Sequence, residues 1–209
     1  MASRIPETPR LVLTLTVAGL LSGTFLVGVD AITRPMIAEN RAAFYEKAAY
    51  DVLPGAERLE RLEWRDGALE KPAGDEDAGE GGAAREWLYA GYLESGELAG
   101  YAIPGDGAGY QDTIRLLYGF DPEKGRIIGM FVLESKETPG LGDQIYKNED
   151  FVAAFRDLAV EPEVVLVKGS AAAANEVAGI TGATVSSRAV VKIINQTNER
   201  WLERLAGGE

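Results

Sequence analysis

Residues 11–29 form an apolar stretch, LVLTLTVAGLLSGTFLVGV, that contains no charged side chain. At about 1.5 Å per residue, a helix of roughly 19 to 23 residues is about 29–34 Å long, which matches the hydrocarbon layer of a bilayer. The Ser and Thr hydroxyls within the stretch can hydrogen-bond to the helix backbone, so they do not prevent insertion. We therefore predict a transmembrane helix over residues 11–33, preceded by a cytoplasmic tail over residues 1–10.

Two other interpretations of this stretch remain open. A cleaved signal peptide has a shorter apolar core and a cleavage site between small residues, and no convincing site precedes Asp30. A buried helix of a soluble domain is seldom apolar on every face. A single-pass membrane anchor is the interpretation that the residues favour.

The charges on the two sides of the stretch give an expected orientation. Arg4 and Arg10 precede it, whereas Arg34 is followed by the acidic Glu39. Positive charges are retained on the cytoplasmic side of a membrane. We therefore expect the rest of the chain to face the periplasm or the cell exterior, anchored in the cytoplasmic membrane.

The composition removes several classes of chemistry. The 209 residues include no Cys and no His, which excludes thiolate-bound clusters, disulfides, His-bound metals and a Ser-His-Asp triad. Redox activity in such a chain requires an organic cofactor. The net charge of −12 argues against nucleic acid as a partner, because the phosphate backbone repels an acidic surface.

The remainder divides into three segments by composition. Residues 34–65 have helical spacing of Ala, Leu and Tyr and are predicted to be a juxtamembrane helical segment that Pro54-Gly55 interrupts. Residues 66–82, DGALEKPAGDEDAGEGG, are too acidic and Gly-rich to bury a core, so we expect a flexible linker. Residues 83–209 are predicted to form the main domain.

Within the main domain, short runs of aromatic and β-branched residues alternate with Gly-rich turns, which is typical of strands. The predicted strands are residues 86–92, 98–103, 113–118, 126–133 and 164–167, and the predicted helices are residues 148–158 and 185–205. Runs of strands with helices placed late in the chain indicate an α+β domain with a largely antiparallel sheet.

The segment 180–187, ITGATVSS, opens the last predicted helix. Its small residues allow a ligand to approach the backbone, and the N–H groups and dipole at a helix start favour an anion such as phosphate. Lys168 and Arg188 are candidate counter-charges for that anion. The simpler alternative is an ordinary N-cap, with Thr184 or Thr181 capping a core helix.

The segment 134–143, ESKETPGLGD, directly follows a predicted strand. One Pro and two Gly residues preset a tight turn that exposes backbone donors and acceptors. A plain surface turn remains the alternative interpretation of this segment by itself.

Together, TGATVSS at 181–187 and ETPGLG at 137–142 resemble the FMN-binding domain shared by the G subunit of the Rnf complex and the C subunit of sodium-translocating NADH:quinone reductase. The resemblance covers the N-terminal span and residues 83–205. It implies that a flavin transferase joins FMN through a phosphoester to Thr184, outside the cytoplasmic membrane. The ETPGLG turn would lie against the isoalloxazine ring. The cofactor-binding residues expected on this basis are Thr181, Gly182, Ala183, Thr184, Val185, Ser186, Glu137, Thr138, Gly140, Leu141 and Lys168.

The chain departs from the family motif at one position. The family usually has Asp six residues before the modified Thr, and here that position is Ala178, with Glu176 as the nearest acid. A covalent link remains the favoured expectation, and non-covalent FMN is the alternative.

The short chain and the sequence after TGAT favour the G subunit within this family. The resemblance then implies an electron relay in a complex with other membrane subunits that couples electron flow between ferredoxin and NAD to ion translocation. The alternatives are an anchored redox or sensory FMN protein outside any ion pump, the related quinone reductase C subunit, and a purely structural anchored domain. No motif supports a hydrolase.

Overall fold

The computed structural model describes residues 7–72 and 86–206. Contacts divide the described chain into two units, one of residues 7–42 and one that begins at Ala43. A single helix, α1 (Glu7–Val52), contributes to both units.

The first unit is the apolar part of α1. Within the described chain, Pro9–Val52 is long and apolar enough to cross a membrane, and none of its most apolar window is buried against other residues. The hydroxyls of Thr14 and Thr16 donate to backbone carbonyls four residues earlier, at 2.8 Å and 2.9 Å. These bonds satisfy the hydroxyls within the helix itself, as expected for a segment in lipid.

The second unit contains a seven-stranded, fully antiparallel sheet in the order β2-β1-β3-β4-β5-β6-β7. Its strands are β1 (Arg58–Arg65), β2 (Ala68–Glu70), β3 (Trp87–Tyr92), β4 (Leu98–Ala108), β5 (Thr113–Asp121), β6 (Arg126–Glu134) and β7 (Leu158–Ala159). A separate parallel pair joins β8 (Val165–Val167) and β9 (Glu176–Ala178). The helices of this unit are α2 (Gln144–Lys147), α3 (Glu149–Ala153) and α4 (Thr184–Ala206). The predicted α+β class with a largely antiparallel sheet is confirmed.

One part of the segment predicted before the sheet was wrong. The helix continues through Pro35 to Val52, as the predicted helical juxtamembrane segment requires, and Pro54-Gly55 follows its end as predicted. Residues 58–65 are a strand rather than a helix, because each residue from 58 to 63 pairs with β3. Cross-strand pairing outweighs the helical propensity of a segment rich in Arg, Leu and Glu.

The predicted linker also begins too early. Asp66 and Gly67, both at positive φ, form a two-residue turn between β1 and β2, so the chain is paired in the sheet through Glu70. Asp-Gly is a favoured sequence for such a hairpin turn. The acidic remainder of the linker, residues 73–82, and the first residues of the predicted main domain, 83–85, lie outside the described residues.

The predicted helix over residues 148–158 is shorter than expected. It is helical only over Glu149–Ala153, and Leu158 instead pairs with Ile127 in the sheet. Asp157 has a φ of 60°, which ends any helix before it. Phe151 and Phe155 remain in edge-to-face contact, with ring centroids 5.2 Å apart.

Two apolar clusters cover the two faces of the sheet. The larger cluster includes Tyr118, Phe155 and Ile193, and it packs α4 on one face. The smaller cluster packs the last turns of α1, including Ala49 and Val52, on the other face. The sheet therefore supports α4 through a packed apolar cluster. The TGAT segment, residues 181–184, leads into the first turn of this helix.

A buried hydrogen bond links the sheet to α4 and provides a stability test. The Tyr118 hydroxyl donates to Asn198 Oδ1 at 2.7 Å, and both side chains are buried. Tyr118→Phe leaves that oxygen without its donor, so we expect a loss of about 1–3 kcal/mol in the free energy of unfolding. Chemical denaturation of the full chain in detergent measures it, with the exposed Tyr146→Phe as control. Equal stability of both variants would contradict this role.

Candidate functional site

The two motifs found in the sequence meet in space. The Ser186 hydroxyl, in the first turn of α4, donates a short hydrogen bond to Glu137 Oε2, in the segment after β6. These residues are 49 positions apart in sequence, and the bond is buried. The helix start and the ETPGLG turn therefore form one site rather than two separate surface features.

Glu137 is the buried centre of this site, with 5% of its surface exposed. Its Oε1 accepts hydrogen bonds from the backbone N–H groups of Tyr110 at 2.9 Å and Gln111 at 3.0 Å. Burial alone would raise the pKa of Glu137, but the Ser186 hydroxyl and the backbone donors outweigh burial and lower it. The carboxylate is therefore ionised at neutral pH.

Two glycines make room for that carboxylate. A Cβ at Gly142 would lie 2.6 Å from Glu137 Oε2 and 2.9 Å from Ser186 Oγ. A Cβ at Gly109 would lie 2.5 Å from Glu137 Oε1. Only glycine permits the backbone to approach the buried carboxylate this closely on both sides.

The ETPGLG turn is held by hydrogen bonds to Asp143, which follows it, and to Gln111 in the turn between β4 and β5. Asp143 Oδ1 accepts from the N–H of Gly140 at 2.8 Å, and Oδ2 accepts from Lys147 Nζ at 2.6 Å. Thr138 Oγ1 donates to Gln111 Oε1 at 3.3 Å. The turn leaves Leu141 with 53% of its surface exposed.

The TGAT segment wraps the start of α4. Thr181 and Gly182 are exposed, Gly182 has a φ of 87°, and a Cβ there would lie 3.6 Å from Leu141 Cδ2. Ala183 is buried just before the helix. The Leu141 side chain therefore lies beside the TGAT backbone.

Thr184 is the first helical residue and is only partly buried. Its hydroxyl donates to the Ile180 carbonyl at a long 3.4 Å. Ser187 Oγ instead accepts from the Ile180 N–H at 3.2 Å and donates to the Ala183 carbonyl at 2.9 Å. Ser187 therefore makes the shorter hydrogen bonds between this loop and the helix start. The Thr184 hydroxyl makes only its 3.4 Å bond and does not act as a strong cap.

Three charges considered in the sequence lie apart from these contacts. Lys168 and Arg188 are exposed, and neither side chain makes a hydrogen bond or ion pair with other residues in the ranges the structure describes. Glu176 Oε2 accepts from the N–H groups at Ala172, 2.8 Å, and Ala173, 3.2 Å, which lower its pKa. The Glu176 carboxylate is thus hydrogen-bonded within its own turn. It does not replace the Asp that the family motif usually has where this chain has Ala178.

The turn between β4 and β5 was not singled out in the sequence. Gly109, Tyr110 and Gln111 complete the Glu137 pocket, and the Tyr110 side chain is 70% exposed beside it. No local motif marks these residues, because their role depends on a contact 26 or 27 positions away. The available signal was a Gly-rich stretch, with glycines at 105, 107 and 109, between two predicted strands.

Comparison with known proteins agrees with this geometry. Residues 109–199 match the family described as FMN-binding domain. The G subunit of the Na(+)-translocating ferredoxin:NAD(+) oxidoreductase complex of Acetobacterium woodii is 30% identical over 194 residues, covering 90% of this chain and 88% of that protein. The chain belongs to the G-subunit family of ion-translocating oxidoreductase complexes. The G subunit from Methanosarcina acetivorans is 28% identical over 189 residues, with 90% and 92% coverage.

Solved structures support the same fold. The crystal structure of NqrC from Shewanella oneidensis aligns with a TM-score of 0.67 at 14% identity, covering 81% of this chain and all of that one. The C subunit of the Na(+)-translocating NADH-quinone reductase from Parabacteroides distasonis aligns with a TM-score of 0.62 at 22% identity, with 82% and 96% coverage. This member of the G-subunit family thus shares the fold of both structures.

FMN is the cofactor of this domain, and the residues present fit it. Thr184 offers a partly exposed hydroxyl at a helix start, where a phosphate is stabilised. Leu141 and Val185, 53% and 48% exposed, offer apolar surface to a planar ring system. The partly exposed hydroxyl and the exposed apolar side chains are thus compatible with the phosphate and the ring of FMN.

The acid stability of the ETPGLG turn is a second test. The Lys147 ammonium, followed by the Gly140 N–H, lowers the pKa of Asp143 below its usual 3.8. A lowered folded-state pKa stabilises the fold above the ordinary pKa, and this contribution is lost as the pH falls through the folded value. We expect Asp143→Asn to flatten the decline in unfolding free energy below about pH 4. Unfolding curves across this range measure it, with exposed Glu123→Gln as control. An unchanged slope would contradict the assignment.

Proposed function

We propose that this chain is the membrane-anchored flavoprotein subunit of an Rnf-type ferredoxin:NAD oxidoreductase complex, and that it relays electrons through FMN esterified to Thr184. The names of the G-subunit relatives support the complex. The observation that carries the proposal for this site is the Glu137–Ser186 hydrogen bond, because it joins the two flavin motifs. When bound, FMN supplies the electron transfer that side chains lacking Cys and His cannot provide.

Thr184 has the chemistry that attachment requires. Esterification forms a bond between Thr184 Oγ1 and the FMN phosphorus and breaks the phosphoanhydride bond of a flavin dinucleotide, the co-substrate of a flavin transferase. The nucleoside monophosphate of that donor leaves with the hydroxyl proton. The long hydrogen bond to Ile180 is a weak restraint on this hydroxyl. The free N–H groups at the start of α4 favour the charge that remains on the phosphodiester.

The other residues of the two motifs receive binding roles in this proposal. Leu141 and Val185 provide apolar surface for the isoalloxazine ring, and Thr138 is placed by its hydrogen bond to Gln111. The other motif residues assigned to the site have small side chains or backbone N–H donors, which let the cofactor approach and bind the backbone. They are Gly140, Thr181, Gly182 and Ala183. Ser186 and Glu137 form the buried base of the site through their hydrogen bond.

Lys168 is proposed as a counter-charge for the phosphate. It directly follows β8, whose last residue pairs with Ala178 in β9. The Gly179 N–H also donates to the Val167 carbonyl at 2.9 Å, so the end of β8 lies against the chain that leads into TGAT. Lys168 is exposed at this point, and its ammonium is a flexible point charge suited to pairing with a phosphate.

The anchor and the orientation complete the proposal. Helix α1 holds the chain in the cytoplasmic membrane, and the Arg residues before it retain the N-terminus in the cytoplasm. The proposed segments are a tail (1–10), a membrane helix (11–33), a juxtamembrane segment (34–65) and the FMN-binding domain (83–209), and the acidic linker expected over 66–82 starts only after β2. In the structure, α1 and the hairpin over residues 58–70 extend across these boundaries.

The test is affinity purification of the tagged full chain from its own membranes in mild detergent. We expect the other membrane subunits to co-purify, and we expect yellow flavin absorbance to stay with this chain after denaturation. Flavin that is released on denaturation would indicate non-covalent FMN. A flavin-containing chain that purifies without other membrane subunits would contradict the complex, and a colourless chain would leave Thr184 as a structural residue.

A further inference from the structure

We propose that Glu137 is a positioning residue of the flavin site rather than a residue that contacts the flavin. Its carboxylate forms a clamp, defined here as Glu137 with its donors Tyr110, Gln111 and Ser186. The clamp sets the relative placement of the three segments around the cofactor. This role rests on the proposed function and differs from the cofactor contact expected for Glu137 from the sequence.

The hydrogen bonds of Glu137 are already committed within the chain. Oε1 accepts two backbone N–H groups, at 2.9 Å and 3.0 Å, and Oε2 accepts the Ser186 hydroxyl. Gly109 and Gly142 pack so closely against the two oxygens that no side-chain atom could stand there. A buried carboxylate with this many donors is held firmly in one geometry. It has no free face to offer to a ring system outside.

Each partner of the clamp leads directly to an exposed element of the site. Ser186 is two residues after Thr184 in the same helical turn, so fixing Ser186 fixes the placement of the Thr184 backbone. The Glu137 backbone leads into the turn that exposes Leu141. Tyr110 carries a 70% exposed ring next to the N–H that Glu137 binds.

Three exposed side chains, Tyr110, Leu141 and Val185, therefore owe their mutual placement to one buried carboxylate. They come from the β4–β5 turn, the ETPGLG turn and the first turn of α4. An apolar ring tethered at Thr184 needs such a platform to occupy one orientation instead of many. Releasing the clamp is expected to loosen the flavin ring while the phosphoester at Thr184 remains.

The experiment compares four forms of the full chain purified from its own membranes: wild type, Glu137→Ala, Ser186→Ala and Glu134→Ala. Glu134 is the matched control, because it is an exposed carboxylate at the end of β6, near the same turn. Intact mass reports attachment, circular dichroism reports the fold, and flavin fluorescence anisotropy and midpoint potential report the environment of the ring.

We expect Glu137→Ala and Ser186→Ala to keep the attached mass but to show lower anisotropy and a potential shifted towards that of free FMN. Glu134→Ala should match wild type. Attached flavin with wild-type anisotropy and potential in both clamp variants would overturn the proposal. Should Glu137→Ala fail to fold, Ser186→Ala decides alone, since it removes a single oxygen. Absence of attached flavin in wild type would instead refute the proposed attachment.

Discussion

The Gly119→Ala variant is expected to lose about 3 kcal/mol or more of unfolding free energy, an effect at the upper end for overpacking by one methyl group. Gly119 lies in β5, on the face that α1 covers, and a Cβ there would clash with the backbone carbonyl oxygen of Val52. A Cβ at Gly129, in the neighbouring strand β6, would lie 3.1 Å from Val52 Cα. The end of α1 therefore rests directly on a glycine surface of the sheet.

The clash is with backbone, so rotation of a side chain cannot relieve it. Either the end of α1 lifts from the sheet or β5 bends, and both changes open the cluster around Ala49 and Val52. Denaturant titration of the full chain in detergent measures the loss. Gly179→Ala is the control, because a Cβ there first meets a Leu166 methyl carbon at 3.4 Å. Equal stability of the two variants would show that α1 does not pack as described.

Thr184→Ala is expected to abolish electron transfer through the complex while leaving the fold intact. Without the hydroxyl no phosphoester can form, so the relay loses its cofactor. The structural cost is small, because the hydroxyl makes only the 3.4 Å bond to Ile180 in a partly exposed position. We expect a change in unfolding free energy within about 0.5 kcal/mol.

Ferredoxin-dependent NAD reduction in membranes that contain the variant measures this effect. The rate should fall to that of membranes lacking the chain, and Thr184→Ser, which keeps a hydroxyl, should retain attached flavin and most of the rate. A Thr184→Ala strain with wild-type rates would show that electrons do not pass through a flavin at this position. Loss of the rate together with loss of the folded chain would instead indicate a structural role for Thr184.

Local patterns predicted the interior strands of the sheet but not β1, β2 or the short edge strand β7. The runs at 113–118 and 126–133 are apolar and β-branched, and both form interior strands. Residues 58–65, RLERLEWR, have neither property, and they form a strand because β3 offers them an unpaired edge.

The site shows the same division between local and long-range information. Leu141, Thr184 and Val185 lie in recognisable motifs and are exposed where a cofactor could reach them. Burial of Glu137 could not be foreseen, because it depends on backbone donors at Tyr110 and Gln111 from a turn without a motif. The connection between the two motifs is equally non-local, since one hydrogen bond closes a loop of 49 positions.

Attachment of the flavin at Thr184 is decided by the intact mass of the full chain purified from its own membranes, beside Thr184→Ala. We expect wild type to exceed its sequence mass by one FMN less water, about 438 Da, and the variant to show no added mass. Fragmentation should place the added mass on the peptide that contains Thr184. A wild-type chain at its unmodified mass, or an added flavin that persists in Thr184→Ala, would contradict the proposed relay.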